Sequence, residues 1–133
     1  MGPREELLDE KNALIEHRIS KAIATIDEVD FLISNKKLLL AVNRIYYGMF
    51  YILSELSLKY NFSTSKHQQL IGWFNKEFIA TGKVEPKYGK IIHNAFSNRS
   101  TGDYDDFADF EEDEVKISFN ELKDFINTIR ALL

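Results

Sequence analysis

From Val115 onward, apolar residues recur at Phe119, Leu122, Ile126, Ile129 and Leu133, in steps of four, three, four, three and four. That rhythm matches the 3.6-residue turn of an α-helix and cannot be laid on a strand, whose side chains alternate with a period of two. The same spacing covers most of the 133-residue chain. Sustained alternation is missing, and no Asn-Gly turn joins two apolar runs, so β structure is not expected. A hydrophobic fraction of 44% with 13% aromatic residues marks a globular chain with a real core. The length suits a single domain over residues 1–133.

Five helical segments are predicted. The first runs from about Arg4 to Ile33, with Leu8, Ile15, Ile19, Ile23, Ile26 and Val29 in one stripe. Ser34 or Asn35 can cap the second, which continues to about Tyr60 and carries Leu39, Val42, Tyr46, Met49, Phe50, Leu53 and Leu56. Its wide apolar face suggests the central helix. A third starts near Ser65, with Leu70, Trp73, Phe74 and Phe78 on its apolar face, and ends at "ATGK", where Gly82 suits a left-handed cap. Pro86 fits the first turn of a fourth, which carries Tyr88, Ile91, Ile92, Ala95, Phe96 and Arg99 and ends near Gly102. The fifth begins at about Glu111. The expected architecture is all-α, a five-helix antiparallel up-and-down bundle with short connections.

Several chemistries are excluded or disfavoured. The chain has no cysteine, which removes disulfides and thiolate chemistry and fits an intracellular, cytoplasmic location. No apolar run approaches the roughly 18 residues that a membrane helix needs, and "MGPREELLDE" is too charged for a signal peptide. No His-x3-His, His-Glu-x-x-His or carboxylate cluster suggests a metal, and there is no phosphate-binding glycine loop, so neither metal nor cofactor is expected. The net charge of −4 lacks the basic surface on which phosphate-backbone affinity depends, so a nucleic-acid role needs a local cationic cleft. Eight carboxylates fall in the twelve positions from Asp103 to Glu114. Those at 111–114 suit the positive end of a helix dipole, although a patch for a basic partner is an alternative.

Polar residues on otherwise apolar helices are the candidate site. Arg99 and Asp103 stand at i and i+4, and Arg99 shares the inward face of Ile92, Ala95 and Phe96. A half-buried arginine needs a partner, so a satisfied ion pair is one reading and a cleft cation the other. In "AVNRIYYGMF", Asn43, Arg44 and Tyr47 interrupt the second helix, with Tyr51 one turn beyond Tyr47. Lys66 and His67 open the third, where a helix start beside a lysine can hold an anion or can simply be a cap. His17 and His93 look incidental.

Three stretches, "AVNRIYYGMF", "SKHQQLIGWFNKEFIATGKV" and "KYGKIIHNAFSNRSTGDY", together resemble the small single-domain branch of the HEPN superfamily, the higher eukaryote and prokaryote nucleotide-binding domains. The residues that carry the likeness are Ala41, Arg44, Tyr46, Tyr47 and Phe50, then Arg99, Asp103 and Tyr104, and it spans roughly residues 36 to 105. The resemblance implies a helical bundle that forms a homodimer, with the motif helices of two subunits facing one cleft. It also implies a place in a prokaryotic toxin–antitoxin-like system beside a minimal nucleotidyltransferase, and contact with RNA or a nucleotide. Many relatives in the superfamily are metal-independent RNases with the signature Arg, four to six residues, then His. Arg99 matches the arginine, but the positions for the histidine hold Tyr104, Asp105 and Asp106. Metal-free RNA cleavage wants a group that titrates near neutrality, which histidine provides and a phenol with a pKa of about 10 does not. The expected function is therefore a non-catalytic or degenerate-nuclease partner, with Asn43, Arg44, Tyr47, Lys66, His67 and Asp103 lining a cleft. Alternatives are an endoribonuclease using Arg99 with Tyr104 or a displaced histidine, and a helical scaffold without nucleotide ligand.

Overall fold

The computed structural model describes residues 2–105 and 109–133, apart from the side chain of Tyr104. Five helices follow one another: α1 Pro3–Ser34, α2 Leu38–Lys59, α3 His67–Phe74, α4 Pro86–Tyr104 and α5 Glu112–Arg130. No strand occurs among the described residues. α3 continues directly into a π-helical stretch, Asn75–Ile79, whose Phe78 is buried. The helices pack as the expected antiparallel bundle. α2 is central and touches each of the other four.

The physical reason lies in what α2 offers around its circumference. Ala41, Val42, Ile45, Tyr46, Met49, Ile52, Leu53 and Leu56 are all buried. α5 places its stripe against this face, with Val115, Phe119, Leu122, Ile126 and Ile129 buried. Gly48 sets how close the helices come. A Cβ at this position would lie 2.3 Å from Thr25 Oγ1 and 2.8 Å from Leu122 Cδ1, so only glycine lets α1, α2 and α5 meet here. Thr25 turns its hydroxyl inward and donates to the Ala22 carbonyl at 2.6 Å.

Four expectations need correction. The buried face of α1 is Ala22, Thr25, Val29 and Ile33, whereas Leu8 and Ile23 from the expected stripe are 53% and 38% exposed. α1 is 32 residues long against 22 for α2, so its N-terminal half has fewer neighbours to bury against. Neither Ser34 nor Asn35 caps α2. Asn35 closes α1, and its Nδ2 donates to the Phe31 carbonyl at 2.8 Å. Lys36 then takes a left-handed turn with φ 58°, and Lys37 stands at the start of α2. Leu39 is 47% exposed rather than part of the central stripe. Finally, α4 passes through Gly102 to Tyr104, because Gly102 packs beneath Leu39 and Phe110 and has no need to break the helix. Gly82 does take the left-handed conformation, with φ 77°. The acidic run leads into α5, whose first turn holds Glu112, Asp113 and Glu114.

Candidate functional site

Along α2 the helix also presents aromatic rings one after another. Tyr46 and Phe50 are one turn apart, as are Tyr47 and Tyr51, so the four rings form two adjoining rows. α4 crosses these rows and delivers Arg99 from the same face as Ile92 and Ala95, whose side chains are buried. The Arg99 side chain is only 20% exposed. Its Nη2 donates to the Tyr47 hydroxyl at 2.9 Å. The guanidinium carbon lies 5.3 Å from the Tyr47 ring centre and 5.9 Å from that of Tyr46. Both ring faces favour the cation.

Asp103 stands one helical turn beyond, with Oδ2 2.8 Å from Arg99 Nε. The contact lies outside hydrogen-bond geometry, so its attraction is Coulombic rather than a directed N–H···O bond. The pair that the spacing suggested is thus present, on the inward edge of α4.

α3 supplies what the local motif around Arg99 lacks. Its first residue, His67, stacks on Phe50 with ring centres 4.3 Å apart and an interplanar angle of 17°. His67 Nδ1 is hydrogen-bonded to the Tyr46 hydroxyl at 2.6 Å, and its ring meets Tyr47 edge-on at 6.0 Å. Arg99 and His67 therefore converge on the same two tyrosines from different helices. Burial lowers the His67 pKa below its ordinary value of 6.5, and the Arg99 cation pushes it the same way. The imidazole is therefore neutral at pH 7. Burial also drives the Tyr46 phenol far above the usual range, against a smaller opposite pull from Arg99, so that hydroxyl keeps its proton.

Arg44 stands beside this cluster rather than within it. Its Nε is 3.3 Å from Oε2 of Glu28 on α1. Its guanidinium faces the Tyr47 and Tyr51 rings at 5.7 and 5.8 Å, so Tyr47 lies between the two arginines. Asn43 is half-buried and Lys66 exposed, and among the described residues neither bonds to the cluster. Lys66 holds the position before α3, where its backbone N–H donates to Thr64 Oγ1 at 3.1 Å. Tyr104 ends α4, but its side chain lies outside the described residues, as does all of Asp106. His17 and His93 are exposed and take no part.

Two participants escaped the sequence reading. Tyr46 had been counted with the apolar stripe, although a buried phenol needs a partner and that need is a usable signal. Glu28 sits on a different helix from Arg44, and no local spacing links them. Chemically, the cluster offers a fixed cation with donors suited to phosphate oxygens and a neutral imidazole able to move a proton near pH 7. Among the described residues, no group of three or more His, Cys, Asp or Glu lies close enough to hold a metal ion. No helix among them is long and apolar enough to cross a membrane.

Comparison with known proteins agrees with this architecture. The family model described as "HEPN domain" matches residues 15–132. A protein named "UPF0332 protein" from Thermotoga maritima is 39% identical over 126 residues, covering 95% of this chain and 96% of the relative. Two proteins of Methanocaldococcus jannaschii are also similar. "Putative toxin MJ0142" is 29% identical over 90% of this chain and 81% of its own length. "Putative toxin MJ0605" is 30% identical over 96% of this chain and 92% of its own length. With the bundle, the tyrosine rows and a match across nearly the whole chain in agreement, this protein belongs to the HEPN domain family.

Proposed function

We propose that this chain is a cytoplasmic, toxin-type endoribonuclease that cleaves RNA without a metal, with Arg99 and His67 as its catalytic residues. The observation that carries the reading is the meeting of these two residues on Tyr46 and Tyr47. A histidine absent from positions 104–106 is thereby supplied from α3.

In this reading His67 donates Nδ1–H to the Tyr46 oxygen, which leaves the Nε2 lone pair free as the base. Nε2 takes the proton of a ribose 2′-hydroxyl. The 2′-oxygen attacks the adjacent phosphorus, the bond from phosphorus to the 5′-oxygen breaks, and that oxygen receives a proton from the imidazolium. The products are a 2′,3′-cyclic phosphate and a free 5′-hydroxyl. Arg99 stabilises the charge that builds on the phosphoryl oxygens. Two copies of the chain, joined as a homodimer, would enclose the strand.

A second reading is favoured by Asp103. Its carboxylate beside Arg99 offsets the charge that a phosphate would meet. Such a chain would serve as the non-catalytic partner of a nucleotidyltransferase in a two-component system, contacting a nucleotide rather than cutting RNA.

Incubation of the purified chain with a fluorophore–quencher RNA in EDTA distinguishes the two. The nuclease reading expects cleavage that falls by about 100-fold or more in Arg99→Ala and in His67→Ala, both still helical by circular dichroism. It also expects no cleavage of the all-deoxy substrate. An inert wild-type protein whose melting temperature rises with added nucleotide would instead support the partner reading.

A further inference from the structure

α1 runs past the end of the helix it packs on. Thr25 meets α2 at Gly48 and Arg18 meets it at Glu55, while Lys11 Nζ donates to Asn61 Oδ1 at 2.7 Å on the turn beyond α2. Residues 3–10 therefore project past the last residue of α2, by about 12 Å at the rise of an α-helix. Leu7 and Leu8 on this overhang are 66% and 53% exposed. Leu8 and Ile15, seven residues apart, continue the face on which Ala22 is buried. Glu5, Glu6, Asp9 and Glu10 surround the two leucines, against a single Arg4.

A groove of about 720 Å³ opens at the same end of the bundle, where Asn61, the partner of Lys11, forms part of its wall. Tyr60, Phe62, Trp73 and Phe78 make its aromatic surface, with Lys76, Lys83 and Glu77 beside them. Phe62 and Trp73 stack with ring centres 5.3 Å apart, and Tyr60 is 50% exposed. Among the described residues neither Lys76 nor Lys83 has a carboxylate within ion-pair distance, and neither does Arg4. No residue of α1 lines the groove, and a continuous helix cannot fold back to fill it.

We propose that the α1 overhang of one copy of this chain occupies the Trp73 groove of a second copy, and that the exchange is reciprocal. The chain itself carries the matching piece, which selects a second copy as the occupant. Two exposed leucines fit an aromatic groove, and four carboxylates around them meet two unpaired lysines. Overhang and groove adjoin at one end of the bundle, so a two-fold axis there lets each copy enter the other. One helix end of eight residues is short for the roughly 1,200 Å² that a specific contact buries, and reciprocity doubles it. The contact uses no residue of the Arg99–His67 cluster and is separate from the cleft between subunits proposed above.

Light scattering and tryptophan emission test it together, because Trp73 is the chain's single tryptophan. At micromolar concentration the wild type should have about twice the mass of Leu7→Glu/Leu8→Glu, and bluer emission. Neither leucine lines the groove of its own chain, so a change in emission must pass between copies. Glu6→Lys/Glu10→Lys and Lys76→Glu/Lys83→Glu should each lose mass in the same way. Mixed, they should regain the wild-type mass, since each then offers the other opposite charge. All six replaced side chains are exposed, so the circular dichroism of each variant should match the wild type. Equal mass and equal emission in the wild type and the leucine variant would overturn the contact. Charge variants that lose mass but do not restore it when mixed would overturn the pairing of overhang with groove. These readouts need no catalysis, so a chain that leaves RNA intact removes the nuclease reading and not this contact.

Discussion

α2 has two unlike flanks, and their contrast separates what holds this protein together from what it does. Around Gly48 the flank toward α1 and α5 is closed at the level of single methyl groups, with Leu122 fully buried against it. Around Tyr46 and Tyr47 the other flank is aromatic, polar and partly open, and it keeps a guanidinium and an imidazole in place. Apolar packing tolerates no added volume and stabilises through removal of surface from water. The tyrosine flank also buries Tyr46, but it holds an imidazole whose charge state can change. A substitution on the first flank should therefore lower stability, and one on the second should lower activity at nearly constant stability.

The largest stability loss is expected for Leu122→Ala. A fully buried leucine replaced by alanine costs about 2–5 kcal/mol, through lost transfer energy and the remaining cavity. At roughly 3–5 °C per kcal/mol for a chain of this size, thermal unfolding will detect it readily. Gly48→Ala should follow, at about 1–3 kcal/mol, because the new methyl meets Thr25 Oγ1 and Leu122 Cδ1 well inside contact distance. If Gly48→Ala melts with the wild type, the seam is looser than described, and the contrast between the flanks weakens.

Glu55 is expected to come next and gives the seam a pH dependence. Its side chain is fully buried, 3.6 Å from Arg18 Nε, and neither carboxyl oxygen has a hydrogen bond. Burial pushes its pKa from 4.5 up to about 8, against the opposing pull of Arg18. The folded chain thus holds this proton more tightly than the unfolded chain. Stability from this site is full below the unfolded value of 4.5 and is lost as pH rises through about 8. Chemical denaturation should show the wild type losing roughly 2 kcal/mol between pH 6 and pH 8, with Glu55→Gln flattening the slope. A wild type equally stable at both pH values would show that the carboxyl is ionised and satisfied by Arg18. The smallest stability change is expected for Arg99→Ala. The Asp103 side chain, 35% exposed, stays hydrated when its partner is removed, so the loss, about 1 kcal/mol, comes mainly from the hydrogen bond to Tyr47 and the two ring contacts.

The same contrast explains how far the sequence could be read. Val115, Phe119, Leu122, Ile126 and Ile129 are legible because a helix that buries one face must repeat at 3.6 residues, and all five are buried. Arg99 and Asp103 are legible because partners one turn apart need only the helix to meet. Leu8 was misread because periodicity cannot say which part of a long helix has neighbours, and Ile23 because it cannot fix the buried face to within one residue: Ala22 beside it is buried instead. His67 was legible as a cleft residue, but its approach to Arg99 was not. It depends on how α3 packs against α2, and Tyr46, the residue between them, resembles any other large side chain in an apolar stripe. Likewise, no spacing joins Glu28 of α1 to Arg44 of α2.

The central claim is that Arg99 and His67 act together across the tyrosine pair, and a double-mutant cycle on RNA cleavage in EDTA tests it most directly. Single-turnover rates would be compared for wild type, Arg99→Ala, His67→Ala and the double variant. Two groups that serve one step lose little more together than the worse single variant loses alone. The account predicts that result, with the double variant within about threefold of the slower single. Multiplicative losses, or a His67→Ala protein that cleaves at the wild-type rate, would contradict it.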